Sequence, residues 1–264
     1  MSDHDAPLDA ETRRQRRAFV VRRLHSLAGV VPVGAFLVVH LWTNAKALSG
    51  PISFGAAVAE INNLPFLIAI ELGLIFVPLA FHAIYGVVLA FQSRPNVGAY
   101  GYPRNWLFVI QRVTGIIAFL FLLVHLKDFR VAKALGVMRS EGFFDQLGML
   151  LGVRWKALVY LFGTTASIFH FANGLRTFLW SWGVTVSERS QRFTTWACAS
   201  LGVAMWVLGA STIVFFSTGG QSLVPTSVVR AEGGRDPAEH LPAITEPRPV
   251  FGGSAIPVPA ASAH

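Results

Sequence analysis

Four histidines stand deep inside long apolar runs of this 264-residue chain: His40, His82, His125 and His170. An imidazole in hydrocarbon is costly unless it finds a partner, so each ring marks a candidate site. An interhelical hydrogen bond would satisfy a single such ring, but one histidine in each of four runs asks for a common explanation. Their surroundings repeat. Leu37-Val38-Val39-His40-Leu41 matches Leu122-Leu123-Val124-His125-Leu126, and Phe81-His82-Ala83-Ile84-Tyr85-Gly86 matches Phe169-His170-Phe171-Ala172-Asn173-Gly174. The separations are 85 residues for the first match and 88 for the second. The sequence therefore reads as two similar helical hairpins, each helix carrying one histidine.

Neutral imidazole is a metal ligand, and the ligand set selects the metal. Hard cations want carboxylates, whereas Glu71 is the only acid deep in an apolar run. A zinc site needs three or four ligands converging on one point. At about 1.5 Å rise per residue, His40 and His125 lie roughly 24 and 28 Å from the inner ends of their helices. His82 and His170 lie at about 14 and 18 Å on the same conversion. Two ligands of one metal must share a depth, so His40 pairs with His125 and His82 with His170. Two imidazoles on facing helices suit a haem iron, with no position left open for oxygen chemistry. The chain has one cysteine, Cys198, and no Cys-x-x-Cys-His run. Two non-covalent b haems are therefore predicted, their irons about 10 Å apart in depth on that helical rise.

Gly86 and Gly174, each four residues after its histidine, share the histidine's helical face. They would admit a porphyrin plane or a close neighbouring helix. Arg23, His25, Ser26, Arg112 and Arg176 gather at the inner ends and are candidates for holding the inner haem's propionates. Snorkelling of the arginines to the headgroups is the alternative.

The elements that must position these groups are membrane spans. The chain is 53% hydrophobic and 14% charged, far below the roughly 25% charge of soluble domains. Five runs reach the about 20 apolar residues that a spanning helix needs: 24–45, 65–91, 106–131, 153–182 and 194–217. The predicted fold is all-α, an integral membrane bundle of five transmembrane helices over 24–217. A basic segment, 1–23, precedes it and an irregular Pro/Ala/Gly-rich tail, 218–264, follows. The arginines before the first run could suggest a signal peptide, but that run is too long and no cleavage-type site follows it.

Lys and Arg number twelve on the N-terminal side of the spans and seven on the other. The positive-inside rule then puts the N-terminus in the cytoplasm and, with five spans, the tail outside. The +8 net charge reflects this clustering at helix ends rather than a basic stripe, so no nucleic-acid partner is predicted. No glycine run follows a strand, which leaves no place for a flavin or a dicarboxylate substrate. A transporter with histidine proton relays remains a competing class.

Joined runs of sequence carry a resemblance. Arg22-Arg23-Leu24-His25-Ser26-Leu27, Asn63-Leu64-Pro65-Phe66, Arg104-Asn105-Trp106, Gln111-Arg112-Val113-Thr114-Gly115-Ile116 and Ile168-Phe169-His170-Phe171-Ala172-Asn173-Gly174 belong to it. With Phe81–Gly86, Trp182-Gly183-Val184-Thr185-Val186 and Ser190-Gln191-Arg192, they resemble the single-chain, di-haem cytochrome b subunit of bacterial succinate:quinone oxidoreductases, over about residues 18–217.

The resemblance implies a membrane anchor in the bacterial inner membrane, bound to a flavoprotein subunit and an iron–sulfur subunit. Electrons would pass through the haems to a quinone, menaquinone in this branch. It implies His82 and His170 at the proximal haem, His40 and His125 at the distal one. Relatives carry an acidic residue tied to quinol chemistry just before the Leu-Pro-Phe run. Here the quinone-site candidates are Asn44, Glu60, Asn62 and Asn63. Some fumarate-reducing relatives place a glutamate two residues before the helix IV histidine; here that residue is Ile168. A di-haem anchor of another respiratory complex is the alternative.

Overall fold

The structure, a computed structural model, describes residues 9–137, 142–221 and 223. Its first helix begins well before the hydrocarbon run. Asp9 caps α1 (Ala10–Val30), accepting from the Thr12 backbone N–H at 2.6 Å, a bond that holds its carboxyl below the ordinary range. Arginine is a good helix former, so residues 10–23 continue the first helix toward the N-terminus instead of forming a separate segment. Pro32 opens α2 (Pro32–Ala45) directly after Val31. Lacking an N–H, it breaks the hydrogen-bond ladder without ending the rod.

A tight turn, Lys46–Ser49, and Gly50 at φ 105° lead into α3 (Pro51–Asn62). The second long helix comprises α4 (Leu67–Ile70), a π-helical turn at Glu71–Phe76 and α5 (Val77–Gln92). The third comprises α6 (Pro103–Leu126), a second π-helical turn at Lys127–Val131 and α7 (Ala132–Ala134). A short helix, α8 (Phe143–Leu151), precedes α9 (Arg154–Ser181) and α10 (Glu188–Thr218). Among the described residues every regular element is helical.

Four of these are long and apolar enough to cross a membrane: Ala10–Ser49, Leu67–Gln92, Pro103–Ala134 and Glu188–Thr218. The fifth predicted span, α9, has 28 residues, about 42 Å of helix, but does not reach the apolar composition of the other four. Thr164, Thr165, Ser167, His170 and Asn173 dilute it. Its position explains the difference. It packs against α1, α6, α8 and α10 at once, so Thr164, Ser167, His170 and Asn173 meet protein, where polar groups of a bundle belong, and the exposed Thr165 hydroxyl accepts from Trp206 Nε1 at 2.9 Å. Elsewhere the large apolar side chains face outward, as Phe91, Phe193 and Trp196 do. An outward-facing apolar surface of this extent suits hydrocarbon and not water.

The two hairpins lie side by side. α1 packs on α5, α6 on α9, and α1–α9 and α5–α6 contacts join them, with α10 against α9 and α2. At the end far from the N-terminus, α3 and α8 fold over the bundle. Phe54, Phe144, Leu147, Leu150 and Leu151 bury there against Tyr160, Ile213, Phe215 and Phe216. The connections are therefore partly an ordered apolar cap. Most of the predicted tail, and Arg139 among the charges counted above, fall outside the described residues.

Candidate functional site

His40, on α2, meets His125, on α6, with ring centroids 5.6 Å apart and planes at 84°. His82, on α5, meets His170, on α9, at 6.1 Å and 75°. Two imidazoles joined through one metal by bonds of about 2.0 Å would hold their centroids about 6 Å apart. Both separations match that distance. Among the described residues no three His, Cys, Asp or Glu converge as a metal site.

The ring nitrogens sharpen the fit. His82 Nδ1 donates to the His25 carbonyl at 2.9 Å, and His170 Nδ1 to the Gln111 carbonyl at 2.9 Å. A ring that donates from Nδ1 keeps the Nε2 lone pair for a metal. At the other pair, His125 Nδ1 is buried with no partner among the described residues. Asn44 Nδ2 donates to the His40 carbonyl at 2.8 Å and lies 3.4 Å from His40 Nε2.

The vertical spacing differs from the sequence estimate. His82 rests against Gly29 and His170 against Gly115. Eleven residues separate Gly29 from His40 and ten separate Gly115 from His125, a rise of about 15–17 Å. The 10 Å expectation is short because it measured each histidine from the end of an apolar run. The helices overrun those ends by different lengths.

Residues near the N-terminal pair take distinct places. The His25 ring stacks on His82 at 4.2 Å with the two planes nearly parallel, and its buried Nε2 has no partner among the described residues. Arg23 bonds the Ser181 carbonyl, while the Ser26 hydroxyl accepts from Trp182 Nε1 at 3.1 Å. Both contacts tie α1 to the end of α9. Arg112 lies over the Phe108 ring and donates to the Phe108 carbonyl, leaving a buried Nε with no partner among the described residues. Together with Arg22 and Gln92 it lines a cavity of about 290 Å³.

Arg176 is buried differently. Its Nε and a terminal nitrogen donate to Asn173 Oδ1 at 3.1 and 2.7 Å, beneath the Trp180 ring. Asn173 Nδ2 donates to Gln111 Oε1 at 2.7 Å, and Gln111 Nε2 to the His170 carbonyl at 2.9 Å. Arg176 thus connects to His170 through Asn173 and Gln111. Sequence reasoning missed Gln111 as part of this site. Its signal was available, since it sits four residues before Gly115 as His25 sits before Gly29.

The remaining candidates are spread over the far end. Asn62 accepts from Lys133 at 3.3 Å, Asn63 ends α3, and Glu60 is exposed on that helix. Glu71 pairs with Arg130 at 3.0 Å, joining the two π-helical turns. Tyr160 donates to Asp128 at 3.0 Å while its ring lies edge-on to His125. Ile168 is buried with Leu41 and Met205. Gly86 and Gly174 face the side chains of His25 and Gln111, so here they serve close helix approach.

Comparison with known proteins agrees with this architecture. The family described as "Succinate dehydrogenase/Fumarate reductase transmembrane subunit" matches residues 93–213. The succinate dehydrogenase cytochrome b558 subunit of Bacillus subtilis (strain 168) is 44% identical over 200 residues, which cover 76% of this chain and 98% of that relative. With paired histidines on four helices of an apolar bundle and a relative matched along nearly its whole length, this chain belongs to the succinate dehydrogenase/fumarate reductase transmembrane subunits.

Proposed function

We propose that this chain is the membrane-anchoring electron-transfer subunit of a bacterial succinate dehydrogenase or fumarate reductase and holds two b haems. His82 and His170 hold the inner haem, His40 and His125 the outer one. The observation that carries the reading is the pair of imidazole separations, 6.1 and 5.6 Å, at two levels of one bundle. Bound there, each haem supplies a one-electron centre with both axial positions filled. The protein's part is to hold the four rings, exclude water and set the local charge.

In this reading the bundle has five spans, with α9 as the fourth, and the N-terminus faces the cytoplasm of an inner-membrane protein. Six arginines between residues 13 and 23 favour that orientation. The inner haem then lies nearer the soluble subunits, a flavoprotein and an iron–sulfur protein, and the outer haem nearer the far face. Quinone, as menaquinone, exchanges electrons with the haems. Arg23, His25, Ser26 and Arg112 are the nearer candidates for the inner propionates, and Asn44, Glu60, Asn62 and Asn63 the polar candidates for a quinone site. Arg176, engaged with Asn173, acts on the inner haem through its charge.

The test is a reduced-minus-oxidised spectrum of the purified complex together with haem and flavin counts. Two b haems per chain and a co-purifying flavoprotein are expected. A haem-loaded preparation without a b-type band refutes the cytochrome reading and favours the transporter class. Two haems with partners lacking flavin favour the anchor of another respiratory complex.

A further inference from the structure

Each inner histidine docks on the neighbouring helix by the same reciprocal contact. On α1 the His25 carbonyl accepts from His82 Nδ1 at 2.9 Å. Gly29, four residues on, faces that ring so closely that a Cβ would collide with it. On α6 the Gln111 carbonyl accepts from His170 Nδ1 at 2.9 Å. A Cβ on Gly115, again four residues on, would lie 2.8 Å from His170 Cε1. The contact is returned. Gly86, four after His82, faces the His25 side chain, where a Cβ would lie 3.1 Å from Nε2. Gly174, four after His170, faces Gln111, where a Cβ would lie 3.2 Å from Nε2.

Within a helix, a carbonyl already bonds the N–H four residues later, so the imidazole takes its second lone pair. The side chain of that later residue would stand in the way of the approach. Glycine alone opens it.

We infer that Gly29 and Gly115 are positioning residues for the inner haem: the missing Cβ lets each imidazole reach the carbonyl four residues earlier, and that bond turns Nε2 toward the opposite ring. This rests on the haem reading and applies to one centre only. Among the described residues His125 Nδ1 has no partner, so that ring has no matching lock. The bond matters because it fixes both the tautomer and the orientation of the ligand ring.

The test compares the full-length protein in membranes with the Gly29→Ala and Gly115→Ala variants. Gly73→Ala serves as control, since nothing lies near a Cβ built there. Haem content and redox titration resolve the two centres. Each docking variant is expected to lose inner-haem occupancy or shift that centre's reduction constant at least tenfold, about 59 mV for one electron, with the outer centre unchanged. An inner centre unaltered in both variants overturns the inference.

Should a variant fail to accumulate, pulsed EPR of the ¹⁵N-histidine-labelled wild type decides. Hydrogen-bonded Nδ1 protons on both inner ligands are expected, and their absence overturns the inference. A wild type with two haems but an indifferent Gly29→Ala/Gly115→Ala protein rejects this inference alone. A wild type with no haem rejects the proposed function and this inference together.

Discussion

Removing the charge of Arg176 should lower the potential of the inner haem far more than that of the outer one. Arg176 is 7% exposed, and its guanidinium is held by Asn173 and Trp180, six residues along α9 from His170. Six residues are about 9 Å of rise, which puts the charge about 10 Å from the inner metal position. At an effective dielectric constant of about 20, a unit charge at that distance is worth about 1.7 kcal/mol, or ~70 mV for a one-electron couple. A cation favours the reduced centre, which carries one positive charge fewer, so its loss lowers the potential. The outer centre lies about 25 Å away, where the same charge is worth ~0.7 kcal/mol, or ~30 mV.

Arg176→Gln is the cleaner substitution, because the amide retains a donor for Asn173 Oδ1 and the Asn173–Gln111–His170 chain need not unravel. Potentiometric titration of the b-band absorbance in the purified complex separates the two centres. A fall of ~70 mV at the inner haem with at most ~30 mV at the outer supports the geometry. A rise, no change, or a larger shift at the outer haem would refute the electrostatic argument.

His82→Ala and His170→Ala should each abolish the inner haem and impair assembly with the soluble subunits; retention of both haems in redox titration would sink the pairing. Arg112→Leu should also lower the inner potential more than the outer, and an equal shift at both would count against a role at the inner propionates. Because the imidazole planes stand at 75° and 84°, ferric EPR should show strongly anisotropic low-spin signals for both haems. Spectra of the nearly parallel-imidazole type would contradict the ring orientations. Phe215→Ala, at a fully buried site under the far-end cap, should cost about 3–5 kcal/mol by cavity formation. Thermal unfolding in detergent should then occur earlier, with haem loss starting at the outer centre.

Sequence alone went far because hydrocarbon punishes polar groups severely. His40, His82, His125 and His170 stood out against apolar neighbours, and their repeated flanks declared two hairpins before any coordinate. The shared depth of His40 with His125, and of His82 with His170, followed from counting turns, and the rings do lie together. The spacing between levels did not follow, because apolar runs mark where hydrocarbon begins and not where helices end. α1 overruns its apolar run by about four turns, from Ala10 to Leu24.

Other features had no one-dimensional trace. α3 and α8 are short, and their burial depends on Phe215 and Phe216, more than sixty residues further along the chain.

Composition and the period of apolar residues determined that this protein is a helical bundle for lipid, and residue type determined which buried rings could ligate a metal. Only the tertiary structure decided how those rings are held. The carbonyl of His25 and the missing Cβ of Gly29 act on His82 across a gap of more than fifty residues, and Gln111 and Gly115 act likewise on His170. Such a contact joins one helix's backbone to another's side chain. Hydrophobic periodicity reports only which face of a helix is apolar, so it cannot say which carbonyl a buried imidazole will find.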